Sequence, residues 1–223
     1  MAMTTKIDVK EKDLLGALRG FFGDILATEQ IEAILVPQYL PMKNMVMPTL
    51  VTDPNHLNGV DPLSPAFPMN AAKIVARLTR KPMGAKVAAV LRPCEIRAFV
   101  ELVKLKQGRM DEVILIGMDC LGTLQNKDYF QLLEQNAGES TVVFLQNVLH
   151  GKSTESEGLD LAPACKKYLG FDPTKWPRFK AGASFLVHLS QPIAPGQRRC
   201  HPGGDTHPLG PDVFEVAAQY GVK

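Results

Sequence analysis

The chain has 223 residues, a mass of 24.4 kDa and a formal net charge of +2, with 45% hydrophobic residues. That size and apolar content suit one compact domain with an appendage, or two small domains. Scattered Lys and Arg argue against a nucleic-acid surface, no apolar run approaches the roughly 20 residues that cross a bilayer, and the polar start (1–12) does not read as a signal peptide, so a cytoplasmic protein is expected.

Residues 11–28 place Leu14, Leu15, Leu18, Phe21, Phe22, Ile25 and Leu26 at three- and four-residue spacing, which predicts an amphipathic helix. The apolar run 31–36 predicts a buried strand. Residues 37–67 hold six prolines and the methionines Met42, Met45 and Met47, and read as loop. A helix is expected over 70–80, with Pro68 near its start. Lys86–Leu91 (KVAAVL) predicts a buried strand, 93–107 a helix with proline in its first turn, and 112–117 (EVILIG) a second strand. A helix follows over 128–135, then a third strand over 141–145 (TVVFL). Continuous apolar strands alternating with helices predict an α/β fold: a parallel sheet of about three to five strands with helices on both faces. Beyond residue 150 the pattern weakens to one possible strand over 183–189, a breaker-rich stretch over 190–211 and a short terminal helix over 212–220. The expected division is an α/β cofactor-binding domain over 1–150 and an irregular Pro/Gly-rich extension over 151–223.

Four cysteines, Cys94, Cys120, Cys165 and Cys200, lie far apart without a C-x-x-C pair. In a cytoplasmic chain a disulfide framework is not expected. Cys94 and Cys120 follow the two strands at their carboxyl ends, the edge where open parallel sheets bind ligands. If the strands are neighbours, their axes are about 5 Å apart and both thiols face one crevice. Cys94 also sits in the first turn of a helix, where the dipole favours a thiolate. Arg92 and Arg97 would reinforce that bias and are candidate phosphate ligands. Asn70 and Lys73, at the preceding helix start, are further candidates for a pyrophosphate, and Gly117 and Gly122 would let backbone approach a flat or anionic ligand. A buried cysteine at a strand end is also commonly a small hydrophobe. A thiol nucleophile is a third reading, with His56 and His150 as distant partners. Cys200 with His201 and His207 does not match a common zinc spacing.

The strings LRPCEIRAFVELVKLKQ (91–107) and VILIGMDCLGT (113–123), with GVDPLSPAFPMNAAKIVARLTR (59–80) upstream, resemble the coenzyme F-420 hydrogenase/dehydrogenase beta-subunit family, in its formate dehydrogenase beta-type branch. The likeness covers roughly 10 to 165. It implies an oxidoreductase subunit that binds FAD and an iron–sulfur cluster of the 4Fe-4S type. Such a subunit relays electrons between a soluble carrier (deazaflavin, NAD(P)H or ferredoxin) and a partner hydrogenase, formate dehydrogenase or heterodisulfide-reductase-like subunit. By resemblance, Cys94, Cys120 and Cys165 are cluster-ligand candidates, and Cys200 is the candidate for a fourth, since a cubane takes four thiolates. The sequence departs from the branch at Tyr168, where a second cysteine of the LAPAC motif is expected, and its end is shorter than the family's second half. The alternatives are a non-catalytic assembly or docking homologue with empty cofactor sites, and a cysteine-dependent enzyme using Cys94.

Overall fold

A computed structural model describes residues 4–7, 9, 13–28, 31–66, 68–118, 120–135, 139–149, 158–169, 184–190 and 213–219. The elements in chain order are β1 (Thr4–Ile7), α1 (Leu14–Leu26), β2 (Ile31–Leu40), β3 (Met45–Val51), α2 (Ala72–Leu78), β4 (Lys86–Leu91), α3 (Pro93–Lys104), β5 (Val113–Met118), α4 (Asn126–Gln135), α5 (Ser140–Leu149), α6 (Pro163–Leu169), β6 (Ser184–Ser190) and β7 (Val213–Gln219). Short 3-10 turns cover Pro41–Lys43 and Pro54–Gly59.

The strands form one sheet in the order β1-β7-β6-β5-β4-β2-β3. Its centre is parallel: β2 pairs with β4, and β4 with β5 from Val87 opposite Val113 to Leu91 opposite Gly117. The expected α/β sheet is therefore present. β3 returns antiparallel to β2 as an edge hairpin inside the stretch read as loop. Its Pro48 faces Pro37 across the ladder, and a proline removes a ladder donor, so prolines are confined to such edge positions.

Alternation along the strands assigns each face its helices. Ile34, Val36, Ala88, Val90, Ile116 and Met118 pack with Leu14, Leu18 and Phe22 of α1, Leu132 of α4 and Phe144 of α5. The intervening residues Leu35, Ala89, Leu91 and Leu115 pack with Ala72, Val75 and Ala76 of α2 and Ile96 and Phe99 of α3. Helices thus cover both faces, and Phe22 and Phe99 are fully buried on opposite sides. Truncating either to alanine would cost about 3–5 kcal/mol.

Two expectations are corrected. Residues 141–145 are not a strand but lie inside α5. Ser140, Thr141, Phe144 and Leu145 are buried while Val142 is exposed, which is helical and not alternating spacing. Residues 212–220 are not a terminal helix: β7 lies parallel to β1 and antiparallel to β6. The strand expected over 183–189 is present as β6, against β5.

Candidate functional site

The site grows from the carboxyl ends of β4 and β5. Leu91 and Gly117 are register partners at the last rung. Two residues later the chain enters α3 at Pro93, whose ring supplies the helical φ and whose missing N–H is one that a helix start leaves unbonded anyway. The two corners expected to share an edge do share it. Cys94 is exposed in the first turn of α3, and Cys120 is half-buried just after β5.

The start of α3 is fixed by Glu95. Its Oε2 accepts from the Arg92 backbone N–H at 2.9 Å, closing the helix start on itself in the manner of a capping-box glutamate. Its Oε1 accepts from the Ala71 N–H at 2.7 Å, which ties α3 to the start of α2. Glu95 is 3% exposed. Burial pushes its carboxyl above the ordinary range, and the Arg92 guanidinium and these two N–H donors pull the other way.

Arg92 is buried too, and its Nη2 donates to the Ser64 carbonyl at 2.7 Å and the Ala66 carbonyl at 2.9 Å. The guanidinium therefore clamps the loop following Val60 onto the sheet edge. Asp61 belongs to the same loop: its Oδ2 accepts from Thr141 Oγ1 of α5 at 2.5 Å. Burial raises the Asp61 carboxyl, opposed by the Thr141 bond and by the Arg19 and Arg92 charges. Pro65 O accepts from the Leu124 N–H at 2.8 Å, which joins this loop to the one after β5.

A third segment packs on these loops. Leu124 bridges to Leu161, and the Ala162 N–H donates to Thr123 O at 2.8 Å. Lys166 pairs with Asp160, whose Oδ2 also accepts from Gln125 Nε2 at 3.1 Å. Gly122 has φ +90, a conformation that only glycine adopts at little cost. A Cβ there would meet Leu161 at 3.2 Å and the Cys165 Cβ at 4.0 Å. This close approach carries Cys165, in the first turn of α6, to the loop of Cys120. Thr123 Oγ1 lies 3.4 Å from Cys165 Sγ.

Three cysteines from three separate segments are thus gathered at one edge, near enough that their charges act on one another. Cys94 is affected by Cys120 and Cys165, and Cys120 by Cys165. The thiolate bias expected from the helix start at Cys94 meets opposing effects. Desolvation of its sulfur, then Cys120 and Glu95, push the thiol up to about 11, and Arg92 only partly opposes them. Burial likewise raises Cys120 against the pull of Arg92 and a Gly122 backbone bond. The dipole at this helix start, worth at most about 2 kcal/mol, acts in the opposite direction.

Among the described residues, no three His, Cys, Asp or Glu side chains converge closely enough to hold a single metal ion. A cysteine-ligated cluster would draw on Cys94, Cys120 and Cys165, which come from three separate segments. Cys200 lies outside the described residues, as do His150, His201 and His207. Of the other candidates, Asn70 Oδ1 accepts from the Ala72 N–H at 2.9 Å and so shapes the start of α2. Lys73 and Arg97 are exposed on α2 and α3, while Gly117 is buried within β5. Glu95, Asp61, Ser64 and Thr123 were not singled out from the sequence. Of these only Glu95 carried a local signal, a glutamate two residues after a proline at the first helical position.

A scan against family models finds no match. The chain is similar to the F420-dependent formate dehydrogenase subunit beta of Methanocaldococcus jannaschii, 27% identical over 119 residues, which are 53% of this chain and 31% of that protein. It is also similar to the F420-dependent formate dehydrogenase 1 subunit beta of Methanococcus maripaludis, 40% identical over 50 residues, 22% of this chain and 13% of that protein. The matches span about a third or less of each relative. Both relatives are by name subunits of an oxidoreductase. Among the described residues no helix is long and apolar enough to cross a membrane.

Proposed function

We propose that this chain is an electron-transfer subunit of an oxidoreductase complex, with an iron–sulfur cluster held by Cys94, Cys120 and Cys165 at the sheet edge and FAD bound beside it. The observation that carries this reading is that the start of α3, the loop after β5 and the start of α6 bring Cys94, Cys120 and Cys165 to the same end of the sheet. Cys120 and Cys165 raise the cost of ionising Cys94, and Cys165 that of ionising Cys120. A cationic centre removes that cost, because metal binding is coupled to thiol deprotonation. When bound, flavin and cluster together supply the exchange between two-electron and one-electron carriers.

The chain's own part is to hold and tune. Arg92, fixed by two carbonyls, keeps a buried positive charge beside Cys94 and Cys120. Glu95 fixes the helix start that carries Cys94. The helix starts at Asn70, Lys73 and Arg97 are the proposed contacts for the flavin pyrophosphate, with Gly117 and Gly122 at the sheet edge. By analogy with the relatives' names, deazaflavin is the favoured soluble carrier, ahead of NAD(P)H or ferredoxin, and a formate dehydrogenase catalytic subunit the favoured partner.

The nucleophile alternative is disfavoured by Cys94 itself: a thiol pushed up to about 11 is almost wholly protonated at neutral pH. Anaerobic purification with an iron count and a visible spectrum tests the main reading. Iron with flavin absorbance is expected. Protein that takes up neither after anaerobic reconstitution would be an assembly homologue.

A further inference from the structure

We propose that the outer face of α2 and α3, at the end away from the cysteines, is a docking surface for a carboxylate-rich protein partner. The surface depends on no cofactor. Lys and Arg are scattered along the sequence, but the fold gathers them. Ten of the chain's 25 basic residues lie in 71–112 against four of its 23 acidic ones, a surplus of six positive charges in a chain whose net charge is +2. The two helices cover the same face of the sheet and are tied at their starts by Glu95 and the Ala71 N–H. Their far ends also meet, since Thr79 Oγ1 accepts from the Arg109 N–H at 3.0 Å. At helical spacing, Lys73, Arg77 and Arg80 follow the exposed side of α2, and Arg97, Glu101 and Lys104 that of α3. The acids of the segment leave most of this charge standing. Glu95 is buried, Glu112 accepts from the Met83 and Gly84 N–H groups, and Glu101 and Asp111 pair with Lys104 and Arg109. Arg77, Arg80 and Lys106 have no ion pair among the described residues.

The turn that ends α3 adds a second observation. Lys106 takes φ +58 there, its N–H bonding Val103 O at 2.9 Å while the Gln107 N–H bonds Leu102 O at 2.9 Å. Glycine is the residue favoured at such a position, so lysine is held there at a conformational cost that a contact would offset. The same turn leaves Leu105 65% exposed between Lys104 and Lys106. An exposed leucine flanked by cations has the make-up of a protein interface, apolar at its centre and polar at its rim. A phosphate backbone would use the charge but not the leucine. The one aromatic residue of 71–112, Phe99, is fully buried and cannot stack on a base. A single leucine also falls short of the apolar face that holds a helix on a membrane. The occupant that fits is an acidic protein surface offering Leu105 a pocket.

The test purifies the tagged full chain from its source cells, treats the assembly with a zero-length carbodiimide and maps the linked peptides by mass spectrometry. Lys104 or Lys106 should be joined to an aspartate or glutamate of one partner polypeptide. Binding of that purified partner should weaken about tenfold between about 50 and about 200 mM salt, and about tenfold or more in Arg77→Glu/Arg80→Glu. Lys43→Glu/Lys127→Glu, which reverses two exposed lysines outside this face, should bind as wild type. Leu105→Ser should weaken binding. Lys106→Gly should raise the thermal midpoint by relieving φ +58 and yet weaken binding, a combination that a purely structural role does not give. Cross-links confined to other lysines, an assembly without a partner, or a reversed Arg77/Arg80 variant that binds as wild type would overturn the proposal. So would a Lys106→Gly variant that gains stability at unchanged affinity. Duplex DNA or phosphatidylserine vesicles that bind this face more tightly than the partner does would overturn it in favour of nucleic acid or membrane.

Discussion

Replacing Glu95 with alanine should destabilise the fold well beyond the loss of one surface-type charge. The residue is 3% exposed, and its carboxylate accepts from Ala71 N at 2.7 Å and Arg92 N at 2.9 Å. Each buried donor left unpaired costs about 1–3 kcal/mol, so two cost about 2–6 kcal/mol. Removal also relieves the desolvation that holds the Glu95 carboxyl above its ordinary range, so the net loss falls near about 2–4 kcal/mol. With a urea dependence of about 2 kcal/mol per molar, the unfolding midpoint should drop by about 1–2 M. Glu101 on the same helix is the control, since its side chain is exposed and pairs with Lys104 at 2.6 Å. Glu101→Ala should cost no more than about 0.5 kcal/mol. Glu95→Gln, which keeps one acceptor oxygen, should fall between the two. Equal midpoints for Glu95→Ala and Glu101→Ala would refute the assignment of Glu95 as the tie between α2 and α3.

Cys94 in metal-free protein should alkylate slowly despite its exposure: a thiol at about 11 instead of 9.0 has about a hundredfold less thiolate near neutral pH. Iodoacetamide labelling followed by peptide mass spectrometry checks this, and a rate matching a free cysteine peptide would contradict it. Asp61 gives a pH test. Its folded pKa is raised by burial, so the native state binds the proton more tightly than the unfolded chain. Stability relative to Asp61→Asn should therefore fall as pH rises from about 4 through the folded pKa, then level off; a difference that grows with pH would contradict the assignment. Gly122→Ala should lower stability by about 1–3 kcal/mol, because alanine is strained at φ +90 and its Cβ meets Leu161 at 3.2 Å. An unchanged thermal midpoint would show that the loop adapts.

Where local signals and tertiary packing agree, the sequence was legible. Lys86–Leu91 is a strand with the bounds its apolar run predicts, and Pro93 marks the start of α3. Those two elements alone place Cys94 at the sheet edge, and the parallel pairing of β4 with β5 brings Cys120 to it. Legibility failed where one pattern supports two structures. The run TVVFL at 141–145 reads as a strand, yet helical spacing puts Thr141, Phe144 and Leu145 on the buried side of α5 and Val142 outside. β3 was hidden by Pro48, which an edge strand tolerates and a central one does not. The helix over 212–220 lost to pairing of β7 between β1 and β6, a partnership that no local window contains. In the site, the cysteines were visible as residues, but their shared electrostatics were not. The helix dipole pointed to a reactive thiolate at Cys94, while burial and the neighbouring sulfurs set the opposite direction. The sequence offers Arg92 as a phosphate ligand, whereas in the fold its guanidinium holds the Ser64 and Ala66 carbonyls. That arrangement depends on a loop about 28 residues away in sequence.

The most direct measurement is an anaerobic count of iron and acid-labile sulfide per chain, for wild type and for Cys94→Ser, Cys120→Ser and Cys165→Ser. Stoichiometric iron and sulfide in the wild type, sharply reduced in each variant, is the expected result. Wild-type protein that remains iron-free after reconstitution, or iron that survives all three substitutions, would contradict a cluster held by these cysteines.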